Sequence, residues 1–123
     1  MAQQTNQGES EAEKIVRDYQ IVQEQLRAAS MQIEQLQMQK SELARAKEEV
    51  GGSSGKVYFT IGGVIVETNK EKALSDIKEK TELAEVRITS ITKQFNEFKA
   101  KEKQLGEKIT QMYKQGQGVG GVS

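Results

Sequence analysis

The side chains able to do chemistry in this chain are few in kind. Among its 123 residues there is no histidine and no cysteine, so it has neither an imidazole base nor a thiolate nucleophile. What remains is a set of carboxylates, lysines and one glycine-rich run. Gly51-Gly-Ser-Ser-Gly-Lys56 superficially suggests a phosphate cradle. A phosphate loop, however, needs Lys after the second Gly of a GxxxxG spacing and then Ser or Thr; here the spacing is absent and Val57 follows Lys56. The run reads as a linker. Glu48, Glu49, Glu79, Glu82 and Glu85 stand at helical spacing with no histidine to join them, the pattern of solvated charges rather than of a metal site. Lys99, Lys101 and Lys103 are interleaved with Glu97, Glu102 and Glu107, which breaks up any continuous basic track for nucleic acid. These residues point away from an enzyme, a metal site, a cofactor and a nucleic-acid partner.

The informative chemistry is apolar, and it centres on Lys56 to Thr68. Val57-Tyr-Phe-Thr-Ile61 and Val64-Ile-Val-Glu-Thr68 are β-branched or aromatic almost throughout, and Gly62-Gly63 lies between them. Two residues able to take positive φ between two such runs predict a β-hairpin with a tight turn. In that register Ile61 faces Val64, Phe59 faces Val66 and Val57 faces Thr68. Cross-strand partners share a face, so these six form one nearly apolar side. Thr60, Ile65, Tyr58 and Glu67 take the other. An isolated two-stranded hairpin is marginal in water. The ends of two helices are too narrow to cover six such side chains, and burying each Val, Ile or Phe is worth about 1.5–3 kcal/mol. The hairpin is therefore expected to hold subunits together, through Val57, Phe59, Ile61, Gly62, Gly63, Val64, Ile65 and Val66.

Long helical patterns flank the hairpin. Ser10 with Glu13 fits a capping box. Ala12, Ile15, Tyr19, Val22, Leu26, Ala29, Ile33, Leu36, Lys40, Leu43, Lys47 and Val50 then alternate in steps of three and four, ten of the twelve apolar or aromatic. Beyond the hairpin, Thr68 with Glu71 suggests a second capping box. Leu74, Ile77, Thr81, Ala84, Ile88, Ile91, Phe95, Phe98, Glu102, Leu105, Ile109 and Met112 repeat the same spacing. Such seams predict a coiled coil. Folding back at Gly62-Gly63 sets Val50 against Leu74, Lys40 against Ala84, small Ala29 against large Phe95, and Tyr19 against Leu105. The predicted fold is mainly α: two long helices forming an antiparallel coiled coil joined by a single β-hairpin. The expected boundaries are a disordered lead-in over 1–9 and a helix–hairpin–helix domain over 10–114. Within it lie a helix at 10–50, a linker at 51–55, the hairpin at 56–68 and a helix at 69–114. A flexible Gly-rich tail follows over 115–123.

Bulk properties fit this plan. Hydrophobic residues make up 35 %, charged residues 29 %, and there is no proline or tryptophan. Residues 1–55 carry nine acidic and six basic side chains and the rest nine and twelve, so antiparallel pairing brings opposite net charges together. No apolar run approaches the roughly 18 residues of a membrane span, and the polar start does not resemble a secretory signal. With no cysteine, the expectation is a soluble cytoplasmic protein with no membrane partner.

The open end of the coil gathers Ile15, Val16, Tyr19, Ile21 and Val22 with Leu105, Ile109, Met112 and Tyr113. It admits two readings. The seam residues simply pack on one another in a fraying end, or the end, with Val16, Ile21 and Tyr113 off the stripe, offers apolar surface to other chains.

Val57-Tyr-Phe-Thr-Ile-Gly-Gly-Val-Ile-Val-Glu-Thr-Asn-Lys-Glu-Lys-Ala-Leu-Ser-Asp-Ile-Lys-Glu-Lys80, with Glu85-Val-Arg87 after it, resembles the β-class subunits of prefoldin. The archaeal β subunit is the nearer likeness and the eukaryotic subunit 2 the second. The single hairpin matches the β class; the α class has two. The Gly-Gly-Ser-Ser-Gly linker and the first helix depart from that likeness. The resemblance implies a hexamer of two α-class and four β-class subunits, with hairpins forming a β-barrel body and coiled coils hanging from it. It implies an ATP-independent holdase that binds unfolded polypeptides at the coiled-coil tips, here Ile15–Val22 and Leu105–Tyr113, and delivers them to a group II chaperonin. The rival expectation is a structural coiled-coil adaptor for one folded partner.

Overall fold

The computed structural model describes residues 10–122, with side chains described through residue 116. The predicted lead-in over 1–9 lies outside the described residues. The chain runs α1 (Glu11–Gly51), β1 (Val57–Ile61), β2 (Val64–Thr68) and α2 (Lys70–Val122).

Local chemistry sets most of these boundaries. At the start of α1 the Glu13 N–H donates to Ser10 Oγ at 3.1 Å, and the Ser10 hydroxyl donates to Glu13 Oε1 at 3.1 Å. The side chains of the expected capping box thus engage each other and an otherwise orphan N–H. At the far end of α1 the Gly52 N–H reaches Glu48 O at 2.9 Å and the Ser53 N–H reaches Val50 O at 3.1 Å, after which the glycines release the chain. The second cap differs from expectation. Asn69, not Thr68, caps α2: its Oδ1 accepts from the Lys72 N–H at 2.7 Å and its carbonyl accepts from the Ala73 N–H at 3.0 Å. Thr68 is held in the ladder opposite Val57, so the next residue takes the cap, and Asn is as good there as Ser or Asp. α2 also continues to Val122, past Lys114 and through the residues assigned to a Gly-rich tail. No proline occurs in the chain, and each glycine costs only about 1 kcal/mol relative to Ala in a helix, so the sequence weakens the helix there without stopping it.

The chain forms two units, one from Met1–Ser30 with Lys93–Ser123 and one from Met31–Thr92. In the first, the predicted seam is the core. Val22, Leu26 and Leu105 are buried, with Ile15, Tyr19, Phe95 and Phe98 packed against them. Ala29 is buried as well, in keeping with a small residue facing Phe95. Gly106 gives the Tyr19 ring a flat bed: a Cβ built there meets Tyr19 Cε1 at 3.5 Å, ordinary van der Waals contact. Thr110 returns its hydroxyl proton to Gly106 O at 2.9 Å.

The second unit is packed more loosely. Ala84 is its buried side chain, while Ile33, Leu36, Leu43, Val50, Leu74, Ile77, Ile88 and Ile91 are half-buried. Lys40 Nζ lies 3.5 Å from Glu85 Oε2, one residue from the partner expected for Lys40 in the fold-back register. Val50 and Ala73 line one groove, and Lys40 and Glu85 another, so the helices run antiparallel here. One seam assignment is corrected. Lys47 is exposed and Ala46 is half-buried in its place. A step of three from Leu43 serves the helical stripe as well as a step of four, and Ala brings no ammonium to desolvate. Thr81 keeps its seam position because its hydroxyl donates to Ile77 O at 2.7 Å.

Two stability changes follow from this packing. Leu26→Ala leaves a cavity in the Val22–Leu105 cluster and is expected to lower unfolding free energy by about 2–4 kcal/mol, read by urea denaturation. Gly106→Ala is expected to raise it by up to about 1 kcal/mol, because the helix gains and the Tyr19 ring still fits.

Candidate functional site

The hairpin is built as its sequence demands. Gly62 and Gly63 take φ of 53° and 80°, values that L side chains resist. The register pairs Val57 with Thr68, Tyr58 with Glu67, Phe59 with Val66, Thr60 with Ile65 and Ile61 with Val64, as the alternation predicts. Lys56 Nζ, the sole cation of the would-be phosphate loop, lies 3.3 Å from Glu67 Oε1. Both groups are well exposed, so this pair adds little stability.

Its surroundings leave the hairpin largely uncovered. At the base, Val57 and Thr68 are half-buried and share a groove of about 260 Å³ with Leu43, Ala46, Val50, Ala73 and Ile77. Toward the turn this cover ends: Ile61 is 60 % exposed and Val64 61 %. On the opposite face Tyr58 and Ile65 are exposed, Ile65 to 72 %. Phe59 and Val66 are intermediate between these limits, at 38 % and 37 %. Among the described residues the sheet has two strands, so each carries an outer edge of unpaired N–H and C=O groups. Two apolar faces and two open edges make a surface that other strands can complete. Tyr58 belongs to this surface although the sequence reading emphasised the other face; its place beside Ile65 was already written in the alternation.

The residues expected at the open end divide sharply. Val22 is 1 % exposed and Leu105 is buried beside it; with the helices paired, both are committed to the core. Ile15, Tyr19, Ile109 and Met112 are half-buried, and Ile15 and Tyr19 pack on that core. Val16, Ile21 and Tyr113 remain exposed. Elsewhere Met31, Met38, Leu83 and Val86 are also exposed; their apolar character off the seam was the available signal. The acidic residues form no metal cage: among the described residues no group of three or more potential ligands converges. Glu85 pairs with Lys40, while Glu48, Glu49, Glu79 and Glu82 face solvent. Among the described residues no helix is long and apolar enough to cross a membrane.

Two long helices joined through one exposed β-hairpin define a helix–hairpin–helix fold. The family model described as "Prefoldin subunit" matches residues 13–116. The chain is 38 % identical over 89 residues to the prefoldin subunit beta of Pyrococcus abyssi, covering 71 % of this chain and 76 % of that protein. It is 33 % identical over 92 residues to that of Methanosarcina acetivorans, covering 73 % and 79 %. The crystal structure of the prefoldin beta subunit from Thermococcus strain KS-1 superposes with a TM-score of 0.76 at 28 % identity, covering 85 % of this chain and 93 % of that one. The chain belongs to the prefoldin subunit family, a family of chaperone subunits, and the likeness to its β class seen in the hairpin sequence holds across the fold.

Replacing Phe59 and Val66 together with Asp places two charges on the face that needs cover. Light scattering is expected to show loss of the full oligomer, with helical circular dichroism retained.

Proposed function

We infer that this chain is one subunit of an ATP-independent holdase, assembled through its hairpin with further β copies and with α-class subunits in an α2β4 hexamer of the cytoplasm. The observation that carries this reading is the hairpin itself. Tyr58, Phe59, Ile61, Val64, Ile65 and Val66 are all exposed on a two-stranded sheet with open edges, and a chain of the prefoldin subunit family presents them on paired helices. Strand pairing and face packing between subunits remove both liabilities together.

Client capture is assigned to the first unit, where Val16, Ile21 and Tyr113 stand out from a packed core. An unfolded chain differs from a native one in displaying apolar side chains along its length. Separate apolar side chains on a helical support suit many such sequences weakly rather than one sequence tightly. Tyr19, Ile15, Ile109 and Met112 join this surface when the last turns fray. Binding by apolar contact needs no nucleotide. Transfer to a group II chaperonin follows when that partner offers the client a larger enclosed surface.

The triple substitution Val16→Ser, Ile21→Ser, Tyr113→Ser spares the Val22–Leu26–Leu105 core. The oligomer is expected to persist on native mass spectrometry, while suppression of aggregation of a chemically denatured client falls severalfold. Unchanged suppression overturns the tip assignment. Tight binding to one native protein, with no preference for denatured clients, replaces the holdase by a structural adaptor.

A further inference from the structure

We propose that the hairpin is carried rigidly by α2 and hinged on α1, so that α1 alone is free to part from α2 next to the hairpin. The two connections to the sheet are chemically unequal. From β2 the chain reaches α2 through Asn69 alone. That residue is fixed by its side chain on the Lys72 N–H and its carbonyl on the Ala73 N–H, and it contains no conformational slack. From α1 the chain reaches β1 through Gly52–Lys56, which holds two glycines and two serines and follows directly on Gly51. The Gly52 and Ser53 N–H groups still bond back to the last turn of α1; beyond them the linker holds the long Gly55 N–H to Ser53 Oγ contact, at 3.4 Å, and the exposed Lys56–Glu67 pair. Nothing lies within 4 Å of a Cβ built at Gly51 or Gly55, so no neighbour confines the linker there. Glycine holds the widest φ/ψ freedom of any residue.

The adjoining helix pair is built to let α1 move. On α1, Lys40 interrupts the apolar stripe and, like Lys47 beside the stripe, is exposed. Both line a groove of about 590 Å³ that runs between Leu43 and Ala44 on one side and Leu74, Ile77 and Thr81 on the other. The ion pair across it, Lys40 to Glu85, is about half exposed at both partners and holds the helices weakly. The apolar side chains here are half-buried rather than closed into a core, so separating the helices costs less than it would at the Val22–Leu105 cluster, and the linker accommodates the displacement without disturbing the β1–β2 ladder. The freed surface is Leu43, Ala46, Val50, Leu74 and Ile77. The hinge does not rest on the proposed holdase activity.

The chain has no cysteine of its own, so paired spin labels can be placed at will. One pair, Glu49→Cys with Thr60→Cys, reports α1 against the hairpin. The other, Glu71→Cys with Thr60→Cys, reports α2 against the hairpin. All three sites are exposed. Labelled full-length chain is mixed with excess unlabelled chain to suppress distances between copies. The expected result is an α1–hairpin distance distribution about twofold wider than the α2–hairpin one. Adding Gly51→Ala and Gly55→Ala, both sterically free, is expected to narrow the first and leave the second unchanged. Equal widths in the two pairs, or an α1–hairpin width insensitive to the glycine substitutions, overturns the proposal.

Discussion

Two helices cannot bury a β-hairpin. The width of a helix pair covers the base of the sheet, where Val57 and Thr68 are half-buried, and that cover fades toward the turn. Ile61, Val64 and Ile65 stay in solvent, and both strand edges keep their hydrogen-bonding groups unpaired. Each exposed β-branched side chain forgoes on the order of 1.5–3 kcal/mol of burial, and the hairpin alone has no core of its own. The mismatch between what the hairpin must bury and what its own helices can offer makes the monomer incomplete. Membership of the prefoldin subunit family places that incompleteness among proteins whose subunits work in company.

The helices solve different problems in the two units. In the first, large aromatic and aliphatic residues gather around Val22, Leu26 and Leu105, with Tyr19, Phe95 and Phe98 sealing the cluster. Glu102 lies on that seam but keeps its carboxylate at the edge, 3.8 Å from Lys99 Nζ. In the second, Lys40 and Thr81 enter the stripe, Ala46 substitutes for Lys47, and Ala84 is the side chain that reaches burial. Seam composition, rather than seam length, sets how firmly each part of the pair is held. The same heptad spacing supports a closed core where both helices supply large apolar groups, and an open groove where one supplies ammonium ions.

That contrast bears on what the exposed apolar residues are for. Val16, Ile21 and Tyr113 flank a core that is already satisfied, so their exposure is not a by-product of poor packing. The hairpin residues are exposed for the opposite reason, since no neighbour in the chain can reach them. One apolar surface is incomplete structure. The other is spare surface on a packed support, and the proposed binding of unfolded chains rests on it.

Much of this was legible in the residues alone. Gly62-Gly63 between β-branched runs specified the turn and, because side chains alternate along a strand, every cross-strand pair. The three-and-four spacing specified both helices, and a single fold-back point specified their register, which the Lys40–Glu85 pair and the Tyr19–Gly106 contact respect. These features are local or periodic, and short-range sterics decide them. Three-dimensional structure was needed wherever two local solutions were equally good. Thr68 and Asn69 both suit a cap, and the ladder opposite Val57 claimed Thr68. Ala46 and Lys47 both lie near the stripe, and the cost of desolvating an ammonium chose Ala46. Val16 and Val22 are the same residue type six positions apart on one helix, yet one is exposed and the other fully buried. Burial is a property of what stands opposite, and no pattern along one strand of sequence contains the far side of the contact.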